Sequence, residues 1–209
     1  MTFIKICGIT NLNDALLAAS LGVYQIGFNF YHKSPRFVST ETAASISRRP
    51  DVTSLKVGVF VDEKPETIAS IADVARLDAI QLHGSEDPCT VATIRRLTRL
   101  KIIKAFRVSD GFEISSVAAY DVDAVLLDAF SASEFGGTGD TFDWEIAKKV
   151  RDIVPELYLA GGISEENVAR AIASVDPFCV DACSRLESVK GIKDELKLRR
   201  FVKNAGIKR

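Results

Sequence analysis

Short apolar stretches rich in β-branched residues recur along the whole chain, at residues 2–6, 23–28, 55–61, 78–82, 101–106, 123–127, 156–160 and 178–182. Each has the length of a strand and is bounded by turn-forming or polar residues. Between them lie segments with apolar positions every three or four residues, at 13–21, 65–74, 91–97, 144–150 and 165–172, and another, 194–202, follows the last strand. These read as amphipathic helices. Strands alternating with helices imply parallel pairing through right-handed crossovers. Eight strands in that alternation, with no GxGxxG after any of them, predict a (β/α)8 barrel, the TIM-barrel class of α/β fold, rather than an open doubly wound sheet. No Pro/Gly/Ser-rich linker, charge block or low-complexity run divides the chain, so residues 1–209 are expected to form one domain.

The strand starts recur about every 22 residues, with two intervals longer by about ten. The extra residues fall at 29–37 and 129–139, after the second and sixth strands. Both are loops on the C-terminal face of the barrel, where enzymes of this fold carry their chemistry.

Composition narrows the partners. A hydrophobic fraction of 47% and a charged fraction of 26% are those of an ordinary globular protein, which argues against disorder. A formal net charge of -1 leaves no basic stripe for nucleic acid or an anionic membrane surface, so an anionic ligand has to be caught by local groups. No secretory leader pattern and no apolar run of about 18 residues is found, and a cytoplasmic protein without a membrane partner is expected. Cys7, Cys89, Cys179 and Cys183 form no CxxC pair, and His32 and His83 stand far apart. Neither a zinc site nor a disulfide framework is signalled, and Cys89 and Cys179 read as small buried hydrophobes.

Side chains alternate faces along a strand, so parity selects those that enter the barrel. If Cys7 faces inward at the rim, Phe3 and Lys5 share its side. Asp128 is the first polar residue at the end of strand 6, and His83 occupies the equivalent place after strand 4. A thiol, a carboxyl group and an imidazole thus converge on one mouth, as proton transfer between an acid and a base requires. Lys5 needs a counter-charge inside the barrel, and Asp181 on strand 8 has the right parity.

Two glycine-rich turns suit a phosphate. Gly136-Gly137-Thr138-Gly139 precedes a helix, and Ala160-Gly161-Gly162 ends strand 7 shortly before another. Backbone N–H groups can approach an oxyanion closely at such places, and loops after strands 7 and 8 are a common phosphate site in barrels. Arg36, stiffened by Pro35 in the first long loop, offers a planar fork for a carboxylate.

With these residues in place the chain resembles the phosphoribosylanthranilate isomerases of tryptophan biosynthesis. The likeness runs end to end, through Lys5-Ile6-Cys7-Gly8-Ile9, Ser34-Pro35-Arg36, Val57-Gly58-Val59-Phe60, Gln81-Leu82-His83-Gly84, Leu127-Asp128, Gly136-Gly137-Thr138-Gly139, Ala160-Gly161-Gly162 and Gly191-Ile192-Lys193-Asp194. The resemblance implies an aldose–ketose isomerase that performs an Amadori rearrangement on a small phosphosugar, without metal or cofactor, as a monomer or homodimer. Cys7 matches the family's general base, Asp128 its general acid and Arg36 its carboxylate ligand, with His83 in the same substrate-facing set. Gly137, Thr138, Gly139, Gly161, Gly162 and Ser184 match the phosphate cradle. One stretch departs: Cys183-Ser184-Arg185-Leu186-Glu187 stands where Ser-Ser-Gly-Val-Glu or similar is usual, which puts a bulky cation beside the phosphate loop. Two alternatives remain open at this stage, the related Amadori isomerase of histidine biosynthesis and a catalytically silent phosphosugar-binding barrel.

Overall fold

The aliphatic runs pair in the order in which they occur. In the computed structural model, which describes residues 1–109, 111–129 and 144–206, eight parallel strands close into a barrel. They are β1 (Phe3–Cys7), β2 (Gln25–Asn29), β3 (Leu55–Phe60), β4 (Ala79–Leu82), β5 (Lys101–Val108), β6 (Ala124–Ala129), β7 (Leu157–Ala160) and β8 (Cys179–Ala182). Closure runs through β1 and β8, with Phe3 opposite Cys179, Lys5 opposite Asp181 and Ile6 opposite Ala182. Among the described residues seven helices surround it: α1 (Leu12–Ser20), α2 (Thr40–Ser47), α3 (Pro65–Val74), α4 (Pro88–Leu97), α5 (Trp144–Arg151), α6 (Val168–Val175) and α7 (Glu195–Asn204). A small antiparallel hairpin of β9 (Glu187–Val189) and β10 (Ile192–Lys193) follows β8. No described helix is long and apolar enough to cross a membrane.

Local chemistry explains where the helices begin. Asn11, Ser39, Asp87 and Asp194 each accept a backbone N–H three residues on, satisfying an orphan donor of the first turn. Three expectations need correction. Residues 40–47 form α2, which the pattern did not announce because its buried face is built largely of Ala43 and Ala44 and is weakly apolar. The helix expected at 165–172 starts three residues later, because Asn167 fastens the preceding turn by accepting from Ser164 N and donating to the Gly162 carbonyl. Cys89 is exposed, on the solvent side of the first turn of α4, whereas Cys179 is buried as expected.

Most of the apolar surface lies between strands and helices. A second, smaller cluster fills the barrel itself, with Val57, Ile103, Leu126 and Tyr158 among its members. Lys5, fully buried, adds its charge to that interior and meets Asp181 at 2.6 Å. Burial alone would lower the Lys5 pKa, but Asp181 and then Cys7 outweigh it and hold the ammonium above its ordinary range. The same burial pushes Asp181 up, and Lys5 works against that shift. Asp181 Oδ1 has no hydrogen-bond partner among the described residues, so this carboxylate depends heavily on Lys5. Lys5→Met is therefore expected to cost about 3–5 kcal/mol in urea unfolding, the penalty for stranding one member of a buried pair, and the double variant with Asp181→Leu should recover much of it.

Candidate active site

The C-terminal ends of the strands open into a cavity of ≈ 280 Å³ lined by Cys7, Arg36, His83, Asp128, Gly161, Gly162, Ser184 and Arg185 among others. A neighbouring cavity of ≈ 350 Å³ shares Val61 and His83 with it, so the cleft continues past His83 toward Lys104 and Tyr120.

Cys7 ends β1, and the chain has to leave the barrel immediately after it. Gly8 makes this possible at φ +73, and a side chain there would come within 2.7 Å of Arg36 Cδ and 2.9 Å of Cys183 Sγ. On the other side, Gly27 leaves room for the sulfur, since a Cβ at that position would stand 2.8 Å from Cys7 Sγ. Cys183 Sγ reaches Glu187 Oε1 at 4.0 Å, and its side chain lies against Cys7. That contact, reinforced by the positive charge of Lys5 and Lys193, outweighs burial and holds the Cys7 pKa well below the ordinary thiol range. Cys183 moves up correspondingly, because Cys7 is the sulfur that carries the charge.

Asp128 ends the inward-facing series of β6, and His83 Nε2 lies 3.2 Å from its Oδ2. The other imidazole nitrogen, Nδ1, is 2.9 Å from the side-chain amide nitrogen of buried Gln81. An amide N–H donates, so Nδ1 accepts and the neutral ring carries its proton on Nε2, facing Asp128. The loop after His83 is fixed by a buried pair, Lys104 with Glu86 at 2.9 Å, and Glu86 also accepts N–H groups of Asp62 and Gly84.

Arg36 is positioned by its own loop, with its N–H on Ser34 Oγ at 3.1 Å. Its Nε and Nη2 form a bidentate pair with Glu187, each at 2.7 Å. Burial would raise Glu187, but Arg36 and Lys193 outweigh it and keep the carboxyl below its ordinary range. The guanidinium edge bearing Nη1 is not used by Glu187, and Arg36 borders the cavity. Lys193, buried on β10, donates to Glu187 Oε1 at 3.3 Å and to the Cys183 carbonyl at 3.2 Å. Ser184 and Arg185 are exposed at the rim, in the short 3-10 turn after β8. Among the expected site residues, Cys7, Arg36, His83, Asp128, Gly161, Gly162 and Ser184 therefore share one cavity, while Gly137, Thr138 and Gly139 lie outside the described residues.

The family model described as N-(5'phosphoribosyl)anthranilate (PRA) isomerase matches residues 4–204. The chain belongs to this isomerase family. A relative from Geobacter sp. (strain M21), an N-(5'-phosphoribosyl)anthranilate isomerase, is 43% identical over 205 residues and covers 98% of both chains. One from Rubrobacter xylanophilus is 43% identical over 206 residues, covering 98% of this chain and 99% of its own. Among solved structures, monomers generated from the dimeric Thermotoga maritima phosphoribosylanthranilate isomerase superpose with a TM-score of 0.86 at 40% identity, covering 98% of each chain. A phosphoribosylanthranilate isomerase in complex with reduced 1-(o-carboxyphenylamino)-1-deoxyribulose 5-phosphate gives a TM-score of 0.83 at 39% identity, again covering 98% of each.

Within this isomerase family frame, four supporting residues escaped the sequence reading: Gln81, Cys183, Glu187 and Lys193. Parity gives Gln81, two positions before His83 on the same face of the chain. Glu187 had no local signal, because its partner Arg36 is 151 residues away.

Proposed function

We propose that this cleft converts N-(5'-phosphoribosyl)anthranilate to 1-(2-carboxyphenylamino)-1-deoxyribulose 5-phosphate, with Asp128 as general acid and Cys7 as general base. Asp128, in its protonated form, donates to the furanose ring oxygen, and the ring opens to an iminium. The Cys7 thiolate then removes the C2 proton, and the resulting enolamine tautomerises to the ketose. The observation that carries the reading is the convergence on one cavity of a thiol with a depressed pKa and a carboxyl group hydrogen-bonded to His83. Oδ1 of Asp128 makes no hydrogen bond among the described residues, which leaves it available to the substrate. Gly161 and Gly162 border the end of the cavity suited to the phosphate, and the free edge of Arg36 suits the anthranilate carboxylate.

The test is loss of the anthranilate-type fluorescence when purified protein meets phosphoribosylanthranilate, together with growth of a tryptophan auxotroph lacking this isomerase. Absence of both overturns the reading. Arg185 is exposed and borders the cavity, where its charge adds attraction for a phosphate. Arg185→Gly should raise KM by about twofold to fivefold at low salt, as expected for one exposed charge, with the difference shrinking as ionic strength rises. A KM that falls in the variant would show that the side chain obstructs the cradle.

A further inference from the structure

The barrel closes with two cysteines side by side. Ile6 of β1 pairs with Ala182 of β8, so Cys7 and Cys183 follow the last paired positions of adjacent parallel strands. Neighbouring strands lie about 4.8 Å apart, within the roughly 4.4–6.8 Å span over which Cα atoms accept a disulfide. Both thiols are partly exposed to the same cavity, and both line the space around Gly8, where an added Cβ would meet Cys183 Sγ at 2.9 Å. Around Cys183 Sγ stand Lys193 Nζ at 3.8 Å and Glu187 Oε1 at 4.0 Å, and Lys5 and Lys193 set a positive field at Cys7. A thiolate in a positive environment with a second thiol in contact is the arrangement of a reactive cysteine and its resolving partner.

We propose that Cys7 and Cys183 form an oxidation site at which hydrogen peroxide closes a Cys7–Cys183 disulfide. The Cys7 thiolate attacks one peroxide oxygen, the O–O bond breaks and hydroxide leaves, giving a sulfenic acid. The Cys183 sulfur then attacks the Cys7 sulfur, the S–O bond breaks and water leaves with the Cys183 proton. Each chain gives up two electrons, and the peroxide is reduced to the level of water. The effect on turnover rests on the role proposed for Cys7 above, whereas the cross-link itself does not.

Full-length protein treated with limiting hydrogen peroxide, alkylated and digested should yield peptides joined through Cys7 and Cys183. Turnover should fall in proportion to the cross-linked fraction and return with dithiothreitol. In Cys183→Ser the resolving sulfur is gone, so peroxide should carry Cys7 on to the sulfinic acid and dithiothreitol should no longer restore activity, each variant being compared with its own untreated sample. Cys89→Ser, changed on the exposed first turn of α4, should keep the cross-link. A wild-type peptide map that shows Cys7 oxidised while Cys183 remains a free thiol overturns the proposal, as does cross-linking through Cys89 in place of Cys183. Cross-linking without loss of turnover upholds the oxidation site and counts against Cys7 as the base.

Discussion

Asp128→Asn should lower kcat by about a hundredfold to ten-thousandfold with little change in KM, the range associated with one positioned acid or base. The amide preserves the size of the side chain and can still meet His83 Nε2, which sits 3.2 Å from Oδ2 in the unaltered protein. What it lacks is a proton it can release to the furanose oxygen. The loss should therefore appear in the chemical step rather than in binding or stability, and an unchanged urea midpoint would separate the two. A variant that kept wild-type turnover would move the acid role to another group in the cavity.

Cys7→Ser is expected to be as damaging, for the opposite reason. A serine hydroxyl fits the space left by Gly27, but the neighbouring Cys183 side chain and the charges of Lys5 and Lys193 stabilise a thiolate and are too weak to ionise an alcohol at neutral pH. The expected loss is again about a hundredfold to ten-thousandfold in kcat. Because the acid acts at the ring oxygen and the base at C2 in successive steps, the slower impaired step limits the double variant with Asp128→Asn, which should fall far short of the product of the two losses.

Much of the architecture was legible because parallel barrel strands are buried on both faces and read as continuous apolar runs with helical segments between them. Parity along those runs also led to Cys7, His83 and Asp128 on one rim and to the pairing of Lys5 with Asp181, which the structure places at 2.6 Å. The limits have physical causes as well. The helix α2 buries mainly small residues, so its periodicity carries little signal. The 3-10 turn at Ile114–Ala119, which stands where another crossover helix would fit, buries only Val117. The contacts that tune the site, Cys183 with Cys7 and Glu187 with Arg36, join segments that are distant in sequence and adjacent only because the barrel closes. Chain order does not show them until the register of β1 against β8 is known.

The acid–base assignment is tested most directly by the pH dependence of kcat/KM, measured beside the pH dependence of Cys7 alkylation by iodoacetamide in the same protein. A depressed pKa means that the thiolate persists as pH falls and is lost only below the lowered value. Both curves should share an acidic limb well below the ordinary thiol range, about 8.5 for a free cysteine, and the Cys183→Ala variant should move both limbs upward together. An alkylation limb at the ordinary thiol value, or a turnover limb that ignores the ionisation of Cys7, would contradict its role as the base.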